Sequence, residues 1–130
     1  MRILIVEDHK AVRKLLRREV ADLATEVFEC DNGADALDAY ATRRPDIVLM
    51  DITMPQMEGI EAAEKIVQAH PDARVVMVSS VGYQENIVAA LQRGARHFVQ
   101  KPVKPEVLYE VIKYVMGEDG AVATAANTGA

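Results

Sequence analysis

The sequence predicts an α/β fold, a five-stranded parallel sheet doubly wound in the order 2-1-3-4-5 with helices on both faces. Three observations carry this expectation. Short β-rich runs alternate with helical patterns five times along 130 residues. Three of the runs, around Ile3–Val6, Ile47–Met50 and Val75–Val78, are continuously apolar, as strands covered on both faces must be. The intervening stretches repeat their apolar residues at three- to four-residue spacing, the period of an amphipathic helix. Alternation of this kind builds a parallel sheet. Right-handed crossovers then leave few topologies, and five units suit this order.

Taken in order, the first strand is expected over Arg2–Val6 and the first helix over Ala11–Leu23, with Leu16, Val20 and Leu23 on one face. A second strand over Glu26–Glu29 leads to a helix over Ala34–Thr42. The third strand, Ile47–Met50, ends at Asp51, and Ile52-Thr53-Met54-Pro55 reads as a loop. The third helix is expected over Gly59–His70, with Ile60, Ala63, Ile66 and Val67 on one face. A fourth strand, Val75–Val78, precedes a helix over Gln84–Arg93. The fifth strand, Phe98–Gln100, ends at Lys101-Pro102 and is followed by a helix over Pro105–Met116, with Val107, Val111 and Val115 on one face. The whole is a flavodoxin-like (βα)5 arrangement. Residues 1–117 read as one domain. Residues 118–130 carry almost no large apolar groups, cannot offset their ordering entropy, and read as a flexible tail or truncated linker.

The bulk numbers narrow the function. A net charge of -5 argues against direct binding of nucleic acid. The basic cluster Arg13, Lys14, Arg17 and Arg18 reads as a solvated helix face. The single cysteine, Cys30, cannot form an internal disulfide, reads as a small buried hydrophobe, and suits a cytoplasmic location. No apolar run approaches the length of a membrane span.

The chemistry sits at the strand ends. In the expected order the first and third strands are neighbours at the switch point, where ligands bind beyond the carboxyl ends. Glu7, Asp8 and Asp51 should therefore converge, with Lys101 reaching in from the fifth strand. Three carboxylates at one point repel one another unless a hard divalent cation intervenes. Magnesium, typically held by one or two carboxylates plus a phosphate, leaves one carboxylate to react. Asp51 stands alone on its strand end and is the expected nucleophile, giving an aspartyl phosphate. Lys101 can neutralise one phosphoryl oxygen, the Ser79 hydroxyl can bond another, and the metal takes the third. Singly, each residue has a plainer reading: Asp8 as a helix cap, Ser79 as a turn residue, Lys101 as a solvated cation. Their joint placement on four strand ends of one sheet argues for a site.

The stretches Ile3-Leu4-Ile5-Val6-Glu7-Asp8, Pro45-Asp46-Ile47-Val48-Leu49-Met50-Asp51-Ile52-Thr53-Met54-Pro55-Gln56-Met57-Glu58-Gly59, Val75-Val76-Met77-Val78-Ser79-Ser80 and Gly94-Ala95-Arg96-His97-Phe98-Val99-Gln100-Lys101-Pro102 together resemble the receiver domains of two-component response regulators, of the chemotaxis-regulator type. The resemblance covers about Arg2 to Met116. It implies that Asp51 accepts phosphate from a sensor histidine kinase or phosphotransfer protein. It also implies that Asp8 binds Mg2+ directly, Glu7 through water and Thr53 through its backbone carbonyl. Lys101 would contact the acyl phosphate across a cis Lys101–Pro102 bond. Ser79 and Phe98 match the family's switch pair. Where the family usually has a second Asp this chain has Glu7, and where it often has Tyr this chain has Phe98.

Two partner surfaces follow. Leu15, at the rim of the first helix's apolar arc, could anchor a kinase together with Ala11, Val12 and Arg18. Ile87, Gln100 and Tyr109 mark an output surface formed by the fourth helix, fifth strand and fifth helix, for an unknown partner or a second copy. Such a receiver catalyses its own phosphorylation and dephosphorylation, and no free-substrate turnover is expected. The rivals are a phosphorylation-independent interaction module, an aspartate-nucleophile phosphatase and an FMN binder. The phosphatase would need an acid two residues after Asp51, where Thr53 stands. The FMN binder would need a Gly/Ser/Thr-rich loop in place of Glu7-Asp8-His9-Lys10. The chain reads as a stand-alone regulator or one domain cut from a longer protein.

Overall fold

A computed structural model describes residues 1–52, 59–80 and 84–118. The Thr53 carbonyl, most of the loop expected over 52–55, and the tail beyond Glu118 lie outside the described residues. The elements run β1 (Arg2–Val6), α1 (Lys10–Glu19), β2 (Glu26–Cys30), α2 (Gly33–Arg43), β3 (Ile47–Asp51), α3 (Gly59–Ala69), β4 (Val75–Ser79), α4 (Gln84–Gln92), β5 (His97–Gln100) and α5 (Pro105–Glu118). All strand pairs are parallel, and the sheet order is β2-β1-β3-β4-β5, as the alternation predicts.

Alternation along the strands divides the core. Leu4, Val6, Val48, Met50, Val75 and Met77 face α2, α3 and α4, where Ala36, Tyr40, Ala62, Ala63, Ile66 and Ala90 meet them. Ile3, Ile5, Ile47, Leu49, Val76, Val78 and Val99 face α1 and α5, against Leu16, Leu108, Val111, Ile112 and Val115. Each fully buried aliphatic side chain contributes about 1.5–3 kcal/mol. Helices therefore cover both faces, which forces the central strands to be apolar throughout.

Four expectations need adjustment. The first helix stops at Glu19, not Leu23. The amides of Ala21 and Leu23 turn back to the carbonyls of Arg18 and Val20, so the apolar spacing continues through turns rather than helix. On α5 the buried line is Leu108, Val111, Ile112 and Val115, while Val107 is exposed. A period of 3.6 drifts away from a strict four-residue row, which carries Val107 out of the core. Cys30 is only half-buried, because β2 is an edge strand. Nor is the basic face of α1 wholly solvated. Arg13 donates to the Glu7 carbonyl at 2.8 Å and to Glu29 Oε1 at 3.0 Å, and Arg17 also bonds Glu29. No helix among the described residues is long and apolar enough to cross a membrane.

Candidate functional site

Strand register assembles the site. Val6 on β1 pairs with Met50 on β3, so the next row sets Glu7 beside Asp51. On the other side of β3, β4 ends at Ser79, which pairs with Gln100 of β5. Lys101 follows directly, and its amide donates to the Ser79 carbonyl at 2.6 Å. Four strand ends thus deliver Glu7, Asp8, Asp51, Ser79 and Lys101 to one crevice, as their positions in the sequence predict. The Lys101–Pro102 peptide is cis.

Three of the crevice's side chains are withdrawn from solvent. Glu7 is fully buried, Asp51 is 6% exposed and Ser79 2%. Lys101 Nζ lies 3.0 Å from Glu7 Oε1 and 3.4 Å from Asp51 Oδ1. The lysine is therefore no solvated cation: it bridges two carboxylates. Burial pushes the Asp51 carboxyl from the ordinary 3.8 up to about 6, the Glu7 charge adds to the rise, and Lys101 opposes it. Burial alone would depress the Lys101 amine, but the Glu7 carboxylate and then Asp51 override it and hold the amine above its ordinary range.

Asp8 does not cap α1. The N-cap residue is His9, whose side chain makes no capping bond. Asp8 Oδ1 is buried and makes no hydrogen bond among the described residues, and the Ser79 hydroxyl is likewise unpartnered there. Buried polar atoms without partners are costly, so a group that satisfies them binds favourably. An oxygen-rich donor set with surplus negative charge is the chemistry a hard divalent cation takes, and the residues present fit Mg2+.

Three contributors were not evident in the sequence. A Cβ at Gly59 would lie 1.8 Å from the Asp51 carbonyl oxygen, so only glycine lets the start of α3 approach β3 this closely. The Gly59 amide also donates to the Ile52 carbonyl at 2.8 Å. Arg13 holds the Glu7 carbonyl in place, and the His9 amide donates to Glu7 Oε2 at 3.2 Å. The signal for the first was a glycine immediately before Ile60, where the apolar helix face begins; the other two depend on how far the Arg13 and Glu7 side chains reach.

The expected partner positions lie away from the crevice. On α1, Leu15 is 44% exposed, Ala11 and Arg18 are exposed and Val12 is half-buried. On the far side Gln100 is exposed, whereas Ile87 and Tyr109 are half-buried, Ile87 packing against the core. The large exposed apolar residues there are Val88, Leu91, Val107 and Tyr114. Phe98 is half-buried and packs on the same core as Ile87.

Comparison with known proteins agrees with this architecture. The family described as the response regulator receiver domain matches residues 3–113. A chemotaxis protein CheY from Thermotoga maritima is 37% identical over 115 residues, spanning 88% of this chain and 96% of that protein. Another from Bacillus subtilis is 40% identical over 112 residues, spanning 85% and 93%. The crystal structure of the NtrX receiver domain from Brucella abortus superposes with a TM-score of 0.83 at 32% identity, over 88% of this chain and 97% of that one.

Proposed function

This chain belongs to the response regulator receiver domain family, a family of signalling domains, and from that membership we propose that it is a phosphoacceptor switch centred on Asp51. The observation that carries the reading is the Asp51 carboxylate, 6% exposed at a strand end with Lys101 Nζ at 3.4 Å.

The Asp51 carboxylate oxygen attacks the phosphorus of a phosphohistidine. A P–O bond forms, the P–N bond breaks, and the imidazole leaves with a proton from solvent. Lys101 moves from its bridge between Glu7 and Asp51 onto a phosphoryl oxygen. The unpartnered Ser79 hydroxyl donates to a second. Asp8 and Asp51, with Glu7 through water and Thr53 through its carbonyl, would hold Mg2+, which supplies charge neutralisation for the transferring group. Preorganised donors around the largely buried Asp51 do most of the remaining work. The same groups, acting on a water molecule, return Asp51 to its free state, and no other substrate is turned over.

The output follows from Ser79. Drawn to the phosphoryl group, it vacates space that Phe98 can enter, and the surface of α4, β5 and α5 changes with it. Gln100 with Tyr109 and Ile87 marks that surface, which serves an output partner or a second copy of the chain. A sensor histidine kinase or phosphotransfer protein docks on α1 through Leu15, Ala11, Val12 and Arg18. The setting is the cytoplasm, with neither membrane nor nucleic acid bound directly.

Transfer from a phosphorylated histidine kinase tests this reading. Wild type should accept label in Mg2+, and Asp51→Asn should accept none. Leu15→Lys should slow transfer by about tenfold or more while labelling by acetyl phosphate is spared. Equal labelling of Asp51→Asn overturns the phosphoacceptor assignment, and equal kinase rates for Leu15→Lys overturn the docking assignment.

A further inference from the structure

At the rim of the crevice Glu7, Asp8 and His9 each present one ligand atom, and the three atoms lie within 4.8 Å of one another. His9 Nδ1 is 3.2 Å from Asp8 Oδ1 and 3.4 Å from Glu7 Oε2. Two features separate this group from an ordinary surface ion pair. The Glu7 side chain is wholly buried, so its charge is committed to the crevice. Asp8 Oδ1 is also buried, with the His9 imidazole nitrogen 3.2 Å away. Neighbouring ligands on an octahedral ion, each about 2.1 Å from the metal, stand roughly 3 Å apart. The separation of 3.2 Å fits two adjacent positions on one ion.

His9 is placed to serve. Its backbone starts α1, its side chain takes no part in capping, and the imidazole is 72% exposed, so the ring turns without repacking the core. Imidazole suits borderline ions such as Co2+ and Zn2+, whereas carboxylate, carbonyl and water suit Mg2+.

Resting on the reading of Asp8 as a metal ligand, we propose that His9 is a further donor to the same ion and shifts the selectivity of the phosphorylation site from Mg2+ toward borderline transition-metal ions. A site of oxygen donors alone already binds Co2+ somewhat more tightly than Mg2+ by the general order of divalent affinities. The informative quantity is therefore the change in that preference when the imidazole is removed.

The test is calorimetric titration of the full chain with Mg2+ and with Co2+, for wild type, His9→Ala and His9→Asn. The last variant places a residue favoured at the N-cap in that position. The visible absorption of Co2+, which distinguishes nitrogen from oxygen donors, is followed in parallel. The Co2+ to Mg2+ affinity ratio should fall about tenfold or more in both variants, and the absorption should shift to that of an oxygen-only site. An unchanged ratio and spectrum, with Mg2+ still bound, overturn the His9 assignment alone. Failure of either ion to bind wild type overturns it together with the metal-site reading.

Discussion

Replacing Asp51 with Asn should stabilise the metal-free protein at neutral pH. Asp51 sits beside a fully buried Glu7 and is itself almost fully buried, and its carboxyl is raised from 3.8 to about 6. The folded protein therefore holds this proton more tightly than the unfolded chain does. The resulting contribution to stability is fully present below about pH 3.8 and is lost as pH rises through about 6. At about 1.4 kcal/mol per pKa unit, the ionised carboxylate costs roughly 3 kcal/mol at pH 8. Asn keeps the shape and removes the charge. Lys101 loses one of two carboxylate partners but retains Glu7 at 3.0 Å, so the net gain should be about 1–2 kcal/mol. In a domain of this size that raises the melting temperature by about 5 °C. The assay is urea denaturation of both proteins in EDTA at several pH values. The gap between them should be widest near pH 8 and close toward pH 4. A wild type more stable than Asp51→Asn at pH 8, or a gap independent of pH, refutes the electrostatic argument.

Two other perturbations report on the same crevice. Mg2+ should raise the melting temperature of wild type by mass action, and Asp8→Ala should abolish most of that rise; equal responses would put the ion elsewhere. Gly59→Ala forces a Cβ to 1.8 Å from the Asp51 carbonyl oxygen, so it should destabilise by about 2 kcal/mol or more and slow labelling by acetyl phosphate. Chemical denaturation together with a labelling time course checks it, and a variant as stable as wild type would show that α3 can shift freely.

The sheet was legible in the sequence because its signals are local. Continuous apolar runs at Ile47–Met50 and Val75–Val78 suit strands buried on both faces, and right-handed crossovers then leave few orders. Strand order carried Glu7, Asp51, Ser79 and Lys101 to one crevice without any knowledge of side chains. What the sequence did not reveal depends on side-chain reach and helix phase. The bridge that Lys101 makes between Glu7 and Asp51 depends on how far the three side chains reach, and the pairing of Arg13 with Glu29 joins residues 16 positions apart. The end of α1 at Glu19 was hidden because no glycine or proline marks it. Tyr109 falls off the Val107/Val111/Val115 face and Ile87 marks the same output surface in the sequence, and both are half-buried, while Val88 and Tyr114 are exposed.

Trapping the acyl phosphate chemically is the most direct test of the phosphoacceptor role. The protein is incubated with Mg2+ and acetyl phosphate, reduced with borohydride, which converts an aspartyl phosphate to homoserine, then digested and mapped by mass spectrometry. Homoserine should appear at position 51 and at no other aspartate, and only when Mg2+ is present. Homoserine at Asp8 or another aspartate with Asp51 unmodified, or no conversion at any position, would contradict the assignment of Asp51 as the phosphoacceptor.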